Sequence, residues 1–286
     1  IAWAGRPHIQ VIHSFVNRQG RRMSDFVRLD GLWLEAQLEG PAQPVLVEQL
    51  SADPRRTGWF EAGGVGVGLR WFWQLYPKAF EVRDGGRLRL ALFPETARPQ
   101  NIYTGVAKTH EMLLAFGGKN FSAQIDHPLY AVAPPKWYTR ETKALGRLVE
   151  SSPEAIRPEY RNLVERYDRW LAECRDAVLA KRDRGFRFGD RVLDEYGMLH
   201  FGDAIHKIVT NPNRRDYGVH WETEYYDFPQ ALFLHFFRTG DMTSFRAAIE
   251  AAAHLADVDI SHHEVDAPAG AARTGPGLNH WTRYSN

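Results

Sequence analysis

Ionisable and aromatic side chains crowd into the stretch from His220 to His263. It opens with Trp221-Glu222-Thr223-Glu224-Tyr225-Tyr226-Asp227, runs through two apolar segments joined by Arg238-Thr239-Gly240-Asp241, and closes on Asp257-Val258-Asp259 and the pair His262-His263. Carboxylates ahead of a helix N-terminus each gain roughly 0.3–1 kcal/mol from the helix dipole, so capping alone explains Glu222, Glu224 and Asp227. Capping does not ask for Trp221, Tyr225 and Tyr226 in the same loop. A sugar site asks for both, because rings stack on the apolar faces of sugars while acids bond their hydroxyls. At least some of the residues in this loop are therefore expected to bind ligand. His262 and His263 stand near Asp257, Asp259, Glu264 and Asp266, and a neutral imidazole beside acids serves as a general base near neutral pH. Metal ligation competes with that reading, but there is no HExxH-type spacing and adjacent residues rarely both ligate. No metal ligand is assigned. Arg273, Asn279, His280 and Trp281 form a further polar and aromatic cluster in a Gly/Pro-rich loop.

Two basic groupings lie upstream. Tyr76-Pro77-Lys78 ends the run RWFWQLYPK, read as a strand that begins at Arg70, and Lys108-Thr109-His110-Glu111 falls near the end of the β-rich region. Basic side chains at the edge of a sandwich suit a uronate carboxylate. Taken singly, each reads as a solvated surface residue.

The elements that must position these groups change character near residue 135. Up to about Ala133, short runs such as HIQVIHSFV, GLWLEAQLE, VLVEQL and RLRLALF alternate or are rich in β-branched and aromatic residues, separated by Gly, Pro and Asp, which predicts antiparallel strands in a sandwich. Asp84-Gly85-Gly86 predicts a tight hairpin turn. The Gly63–Gly68 repeat is read as a strand with closely packed faces, not a phosphate loop, because no helix follows it. After Pro134-Pro135 the period becomes helical: Tyr160, Leu163, Val164, Tyr167, Trp170, Leu171, Val178 and Leu179 predict one amphipathic helix, with Cys174 buried on it. RGFRFGDRVLDEYG is read as a loop or short hairpin. A helix over PQALFLHFF is expected to end at Gly240, and the next to be capped by Asp241 or Thr243. The expected layout is a β-sandwich over 1–135 followed, over 136–286, by the first antiparallel helix pairs of a truncated α/α toroid.

Composition narrows the function classes. The 286 residues are 44% hydrophobic and 25% charged, with Lys+Arg 36 against Asp+Glu 35, which argues against a nucleic-acid partner held by net charge. No apolar run approaches the roughly 20 residues of a membrane span. A single cysteine excludes an internal disulfide and a cysteine-based zinc site. The first residue is Ile1 and the last are Ser285-Asn286; the chain reads as a fragment, so its compartment is open, secretion or the periplasm included. Nine Trp exceed what a core usually needs and fit a carbohydrate surface as well as a large core.

The strings FWQLYPKAFEV with RLRLALFP, GVAKTHE, WETEYYDFPQALFLHFFRTGD and HLADVDISHH, in this order, resemble the exo-acting rhamnogalacturonan lyases, the YetA-like group that joins β-sandwich domains to a C-terminal α/α toroid. The resemblance implies cleavage of the rhamnose–galacturonate backbone of pectin by β-elimination, with an acidic polysaccharide as the partner. Such a lyase must neutralise the galacturonate carboxylate so that the C5 proton becomes acidic. Arg273, Lys108 and Arg70 are candidates for that task; His262, His263, His110 and Tyr225 are candidates for base and acid. Trp221, Glu224, Tyr226, Arg70, Lys78, His280 and Trp281 are the candidate substrate-binding residues. No cofactor is expected, and calcium has no specific support in the residues. Two rival readings stay open: a glycoside hydrolase with two carboxylates such as Glu224 and Asp266, and a noncatalytic glycan-binding protein.

Overall fold

The computed structural model describes residues 1–2, 4–22, 24–39, 42–188, 191–193, 195–207, 219–221, 227–263 and 277–278. Antiparallel sheets come first and a few helices follow. By spatial proximity the chain divides into one unit of Ile1–Leu129, Tyr196–Phe201 and Asp257–Asn279, and a second of Tyr130–Glu195, Gly202–Ala256 and His280–Asn286.

The first unit holds β1 (His8–Val16), β2 (Phe26–Leu29), β3 (Leu32–Gln37), β4 (Val45–Gln49), β5 (Trp59–Ala62), β6 (Val65–Leu69), β7 (Lys78–Arg83), β8 (Arg87–Phe93), β9 (Gln100–Tyr103) and β10 (Ala107–Phe116). One four-stranded sheet has the order β1-β10-β6-β5, the other β3-β8-β7-β4, and β2 pairs with β9. Alternation along the strands turns one face of each sheet inward. Val67, Leu69 and Met112 of the first sheet and Phe80, Val82, Leu88, Leu90 and Leu92 of the second share one buried core. The β7–β8 hairpin turns at Asp84-Gly85-Gly86 as expected, with Gly85 and Gly86 at φ 79° and 72°. The glycine repeat is half turn and half strand: Gly63-Gly64 links β5 to β6, whereas a Cβ on Gly66 would lie 2.4 Å from the Trp59 ring.

The run RWFWQLYPK is not a strand. β6 ends at Leu69, the Leu75 amide donates to the Trp71 carbonyl in a turn, and β7 starts only at Lys78. Its rings are apolar for a different reason. Trp71 packs edge-on to Phe201 at 5.5 Å and Trp73 lies 4.8 Å from Tyr196, around Leu75 in a second apolar cluster. A short helix, α1 (Ser122–Asp126), follows β10 in sequence.

The second unit contains α2 (Arg161–Arg184), the hairpin of β11 (Phe186–Phe188) and β12 (Arg191–Leu193), the pair β13 (Ile205–Lys207) and β14 (Val219–Trp221), and the helix pair α3 (Phe228–Thr239) and α4 (Met242–His254). RGFRFGDRVL thus forms the hairpin that its sequence allowed. Gly240, at φ 74°, sends its amide to the Phe236 carbonyl and ends α3; the Asp241 carboxylate then accepts from the Thr243 and Ser244 amides and starts α4. Leu232, Ala247 and Ala248 form the helical core, with Leu179, Phe228 and Phe233 against it. The expected burial of Cys174 is overturned, since the thiol is exposed. Leu163, Tyr167 and Trp170, three, two and one turns before it on the same face of α2, are also exposed, whereas Leu171, Val178 and Leu179 are half-buried. A pair β15 (Ile260–Ser261) and β16 (Gly277–Leu278) belongs to the first unit. Among the described residues, no helix is long and apolar enough to cross a membrane.

Candidate functional site

The inward faces of β7 and β10 do not stay apolar to their ends. Phe80 and Val82 of β7 point into the core, so the same alternation carries Lys78 inward; Met112 of β10 does so too, and takes His110 and Lys108 with it. Lys78 is 0% exposed, His110 1% and Lys108 3%. The reading of these positions as solvated surface is therefore overturned. Lys78 Nζ donates to the carbonyls of Leu92 at 2.8 Å and Pro77 at 3.1 Å. Across the β1–β10 ladder His110 faces His13, and the ring of Phe15 stacks at 6.4 Å from that of His110. Neither ring nitrogen of His110 has a hydrogen-bond partner among the described residues.

A carboxylate in contact with this cluster comes from far along the chain. β10 pairs with β1 from Ala107 to Ala115 but with β6 only from Met112 onward, so its first half has a backbone edge that no strand covers among the described residues. Asp257, in the π-helical turn Leu255–Asp259 after α4, closes that edge. Its carboxylate accepts from the Thr109 amide at 2.9 Å and the Thr109 hydroxyl at 2.8 Å, and pairs with Lys108 Nζ at 3.1 Å. The following residues are tied to the turn that precedes β10. The His262 amide donates to the Gly105 carbonyl at 2.8 Å, and the Ser261 hydroxyl to the His263 carbonyl at 2.9 Å. Gly105, at φ 89°, is required there, because a Cβ would sit 2.1 Å from Ser261 Oγ.

Electrostatics follow from two lysines and a histidine buried against one acid. Burial pushes the His110 pKa well below its ordinary value, and the charges of Lys78, Lys108 and His13 add to the effect. Lys78 is also driven well below the usual lysine range, by burial first and by Lys108 second. For Asp257 burial acts upward, but the Lys108 charge and the Thr109 hydrogen bonds outweigh it and hold the carboxyl below its ordinary value. Near neutral pH the imidazole is a neutral proton acceptor in the same cluster as the Lys108–Asp257 ion pair. That combination can hold an anion and receive a proton.

The sequence-predicted residues divide into three groups. Lys78, Lys108 and His110 come together, and the His262 amide is anchored at the turn leading to Lys108. Arg70 is engaged by Glu111: its guanidinium donates to both Glu111 oxygens at 2.8 and 3.0 Å and lies over the Trp71 ring at 4.1 Å. Glu224, Tyr225, Tyr226, Arg273, His280 and Trp281 lie outside the described residues, as do Glu222, Glu264, Asp266 and Asn279; of Trp221 only the backbone is described, paired with Ile205. Asp227 sits at the N-cap of α3 with φ 52° and makes no side-chain capping bond.

Sequence reasoning passed over the buried ionisable groups of the second unit. Glu195 accepts from the Ile205 amide at 3.1 Å, with Lys181 at 3.8 Å; burial raises its pKa against the opposing Lys181 and Arg182 charges. Asp203 lies 3.4 Å from His254, and Arg182 bonds Glu250 at 2.7 Å. Nothing local distinguishes these acids from solvated ones in the sequence.

No family model matches the chain. The chain is similar to "Uncharacterized protein YetA" of Bacillus subtilis (strain 168), with 26% identity over 238 residues, 70% of this chain and 26% of the relative. The chain thus spans about a quarter of the length of the curated relative it matches. A YetA-like relationship is what this similarity supports.

Proposed function

We propose that this chain is part of a polysaccharide lyase that cleaves the rhamnogalacturonan backbone of pectin by β-elimination at galacturonate, its helices opening an α/α toroid. The observation that carries the reading is the convergence of Lys78, Lys108 and His110, with Asp257, in one buried cluster. β-Elimination next to a carboxylate needs positive charge on that carboxylate, to stabilise the enolate that forms as C5 loses its proton. Lys108 and Lys78 supply the charge, and neutral His110 accepts the proton. The C4–oxygen bond then breaks as the double bond forms, and the leaving oxygen takes a proton from an acid, the role we assign to His262 or His263. Lys78, Lys108 and His110 are at most 3% exposed, so a uronate reaches them only after the structure opens locally.

The test is the ultraviolet absorbance of unsaturated uronate when the intact protein is incubated with rhamnogalacturonan and, separately, homogalacturonan. A rise on rhamnogalacturonan alone is expected. New reducing ends without that absorbance would replace the lyase by a two-carboxylate hydrolase, and neither signal would leave a glycan-binding protein.

A further inference from the structure

We propose that the Lys78–His110 end of the sandwich interior is a binding site for a small carboxylate anion, occupied together with a proton. The inference rests on the geometry of the cluster and not on the lyase reading. Three basic side chains from facing sheets meet there, Lys78 from β7 and Lys108 and His110 from β10, with His13 of β1 beside them. The acid that contacts this group, Asp257, is engaged by Lys108 Nζ and by the Thr109 amide and hydroxyl. Lys78 Nζ reaches two carbonyls, which accept hydrogen bonds without cancelling a charge. Both His110 nitrogens are buried without a hydrogen-bond partner among the described residues. A buried polar group in that condition is costly, and a buried basic group without a counter-charge avoids the cost by giving up its proton. An anion supplies what is missing on both counts: its oxygens accept from Lys78 Nζ and from His110, and its charge lets Lys78 keep a proton taken from solvent. Water would satisfy the imidazole but leave the charge uncompensated. A carboxylate fits better than a spherical ion because two oxygens can serve two donors.

The groups that govern the titration are Lys78, Lys108, His110, His13 and Asp257, from every element whose charge acts on the site. Binding therefore carries proton uptake of roughly one proton per anion, and apparent affinity rises about tenfold for each pH unit lowered, by linkage. The experiment titrates sodium formate into the intact protein in weak buffer near neutral pH, at constant ionic strength with sodium chloride, whose spherical anion cannot offer two oxygens to two donors, as the balancing salt. Proton uptake that saturates with formate, and thermal stability that rises with formate and more steeply at lower pH, are expected. Lys78→Met should abolish both. Should that variant fail to fold, uptake by the unaltered protein still decides. No saturable proton uptake, or a formate response that is independent of pH, overturns the site; the lyase reading would be untouched, since it stands or falls on the absorbance test.

Discussion

Replacing Asp257 by Ala removes three contacts at once: the Thr109 amide, the Thr109 hydroxyl and the Lys108 ammonium. Leaving a buried ammonium without its partner costs about 3–5 kcal/mol, and an unmet buried amide about 1–3 kcal/mol. These overlap, because Lys108 can shed its proton, so the expected loss is about 4 kcal/mol. Lys108→Met in the Asp257→Ala background removes the stranded charge but not the stranded amide, and should recover about half of it. Two units make a single unfolding transition an unsafe measure; hydrogen exchange at the Thr109 amide reads the contact directly. A local loss of about 3 kcal/mol lowers protection by a factor of about 10². The pH dependence has a definite sign. Asp257 is held below its ordinary carboxyl value, so its contribution is present above the unfolded pKa of about 3.9 and is lost as pH falls through the lower folded value. Asp257→Asn should lack that acid-limb loss. A cost below about 1 kcal/mol for Asp257→Ala, or strict additivity with Lys108→Met, would refute the account of Asp257 as the counter-charge and edge cap.

Gly105→Ala places a Cβ at positive φ and against Ser261 Oγ, and should cost about 1–3 kcal/mol, read as loss of protection at the His262 amide. His110 should stay neutral in ring-nitrogen NMR well below its ordinary pKa; the unfolded chain then binds more protons, so stability falls as pH drops below about 6.5. Cys174 should react with a thiol reagent in the native protein, without denaturant, at a rate near that of a small free thiol; a strongly retarded reaction would contradict its exposure. If the protein is the lyase proposed, His110→Gln should lower turnover on rhamnogalacturonan by a factor of about 10² or more, whereas near-normal turnover in that variant and in His262→Ala would remove both as base and acid.

What was legible in the sequence is what neighbouring residues decide. The hairpin at Asp84-Gly85-Gly86 and the Gly240–Asp241 stop and start follow from local backbone preference and local hydrogen bonds. The run RWFWQLYPK misled because its aromatic residues match a strand by type, while their burial depends on Tyr196 and Phe201, more than a hundred positions away. Lys78, Lys108 and His110 were chosen for their chemistry, but whether a strand position faces water or core is set by the opposing sheet, which alternation alone does not identify. Asp257 lies in the same stretch as His262 and His263, but an imidazole signals catalysis by its type, whereas a lone Asp acquires a role only from the Lys108 and Thr109 that it meets in the fold. Cys174 was judged by the average habit of cysteine, whereas its helix face decided the matter.

The closure of the β10 edge by a carboxylate sets an order of events during synthesis. Asp257 lies 148 positions beyond Thr109, an interval on the order of 10 s at common translation rates. Through that interval the sandwich has its strands β1 to β10 but not the acid that neutralises Lys108. The nascent first unit therefore carries a buried basic end and an uncovered strand edge, and a chaperone or a neighbouring chain with an acidic extended segment would find its best foothold there.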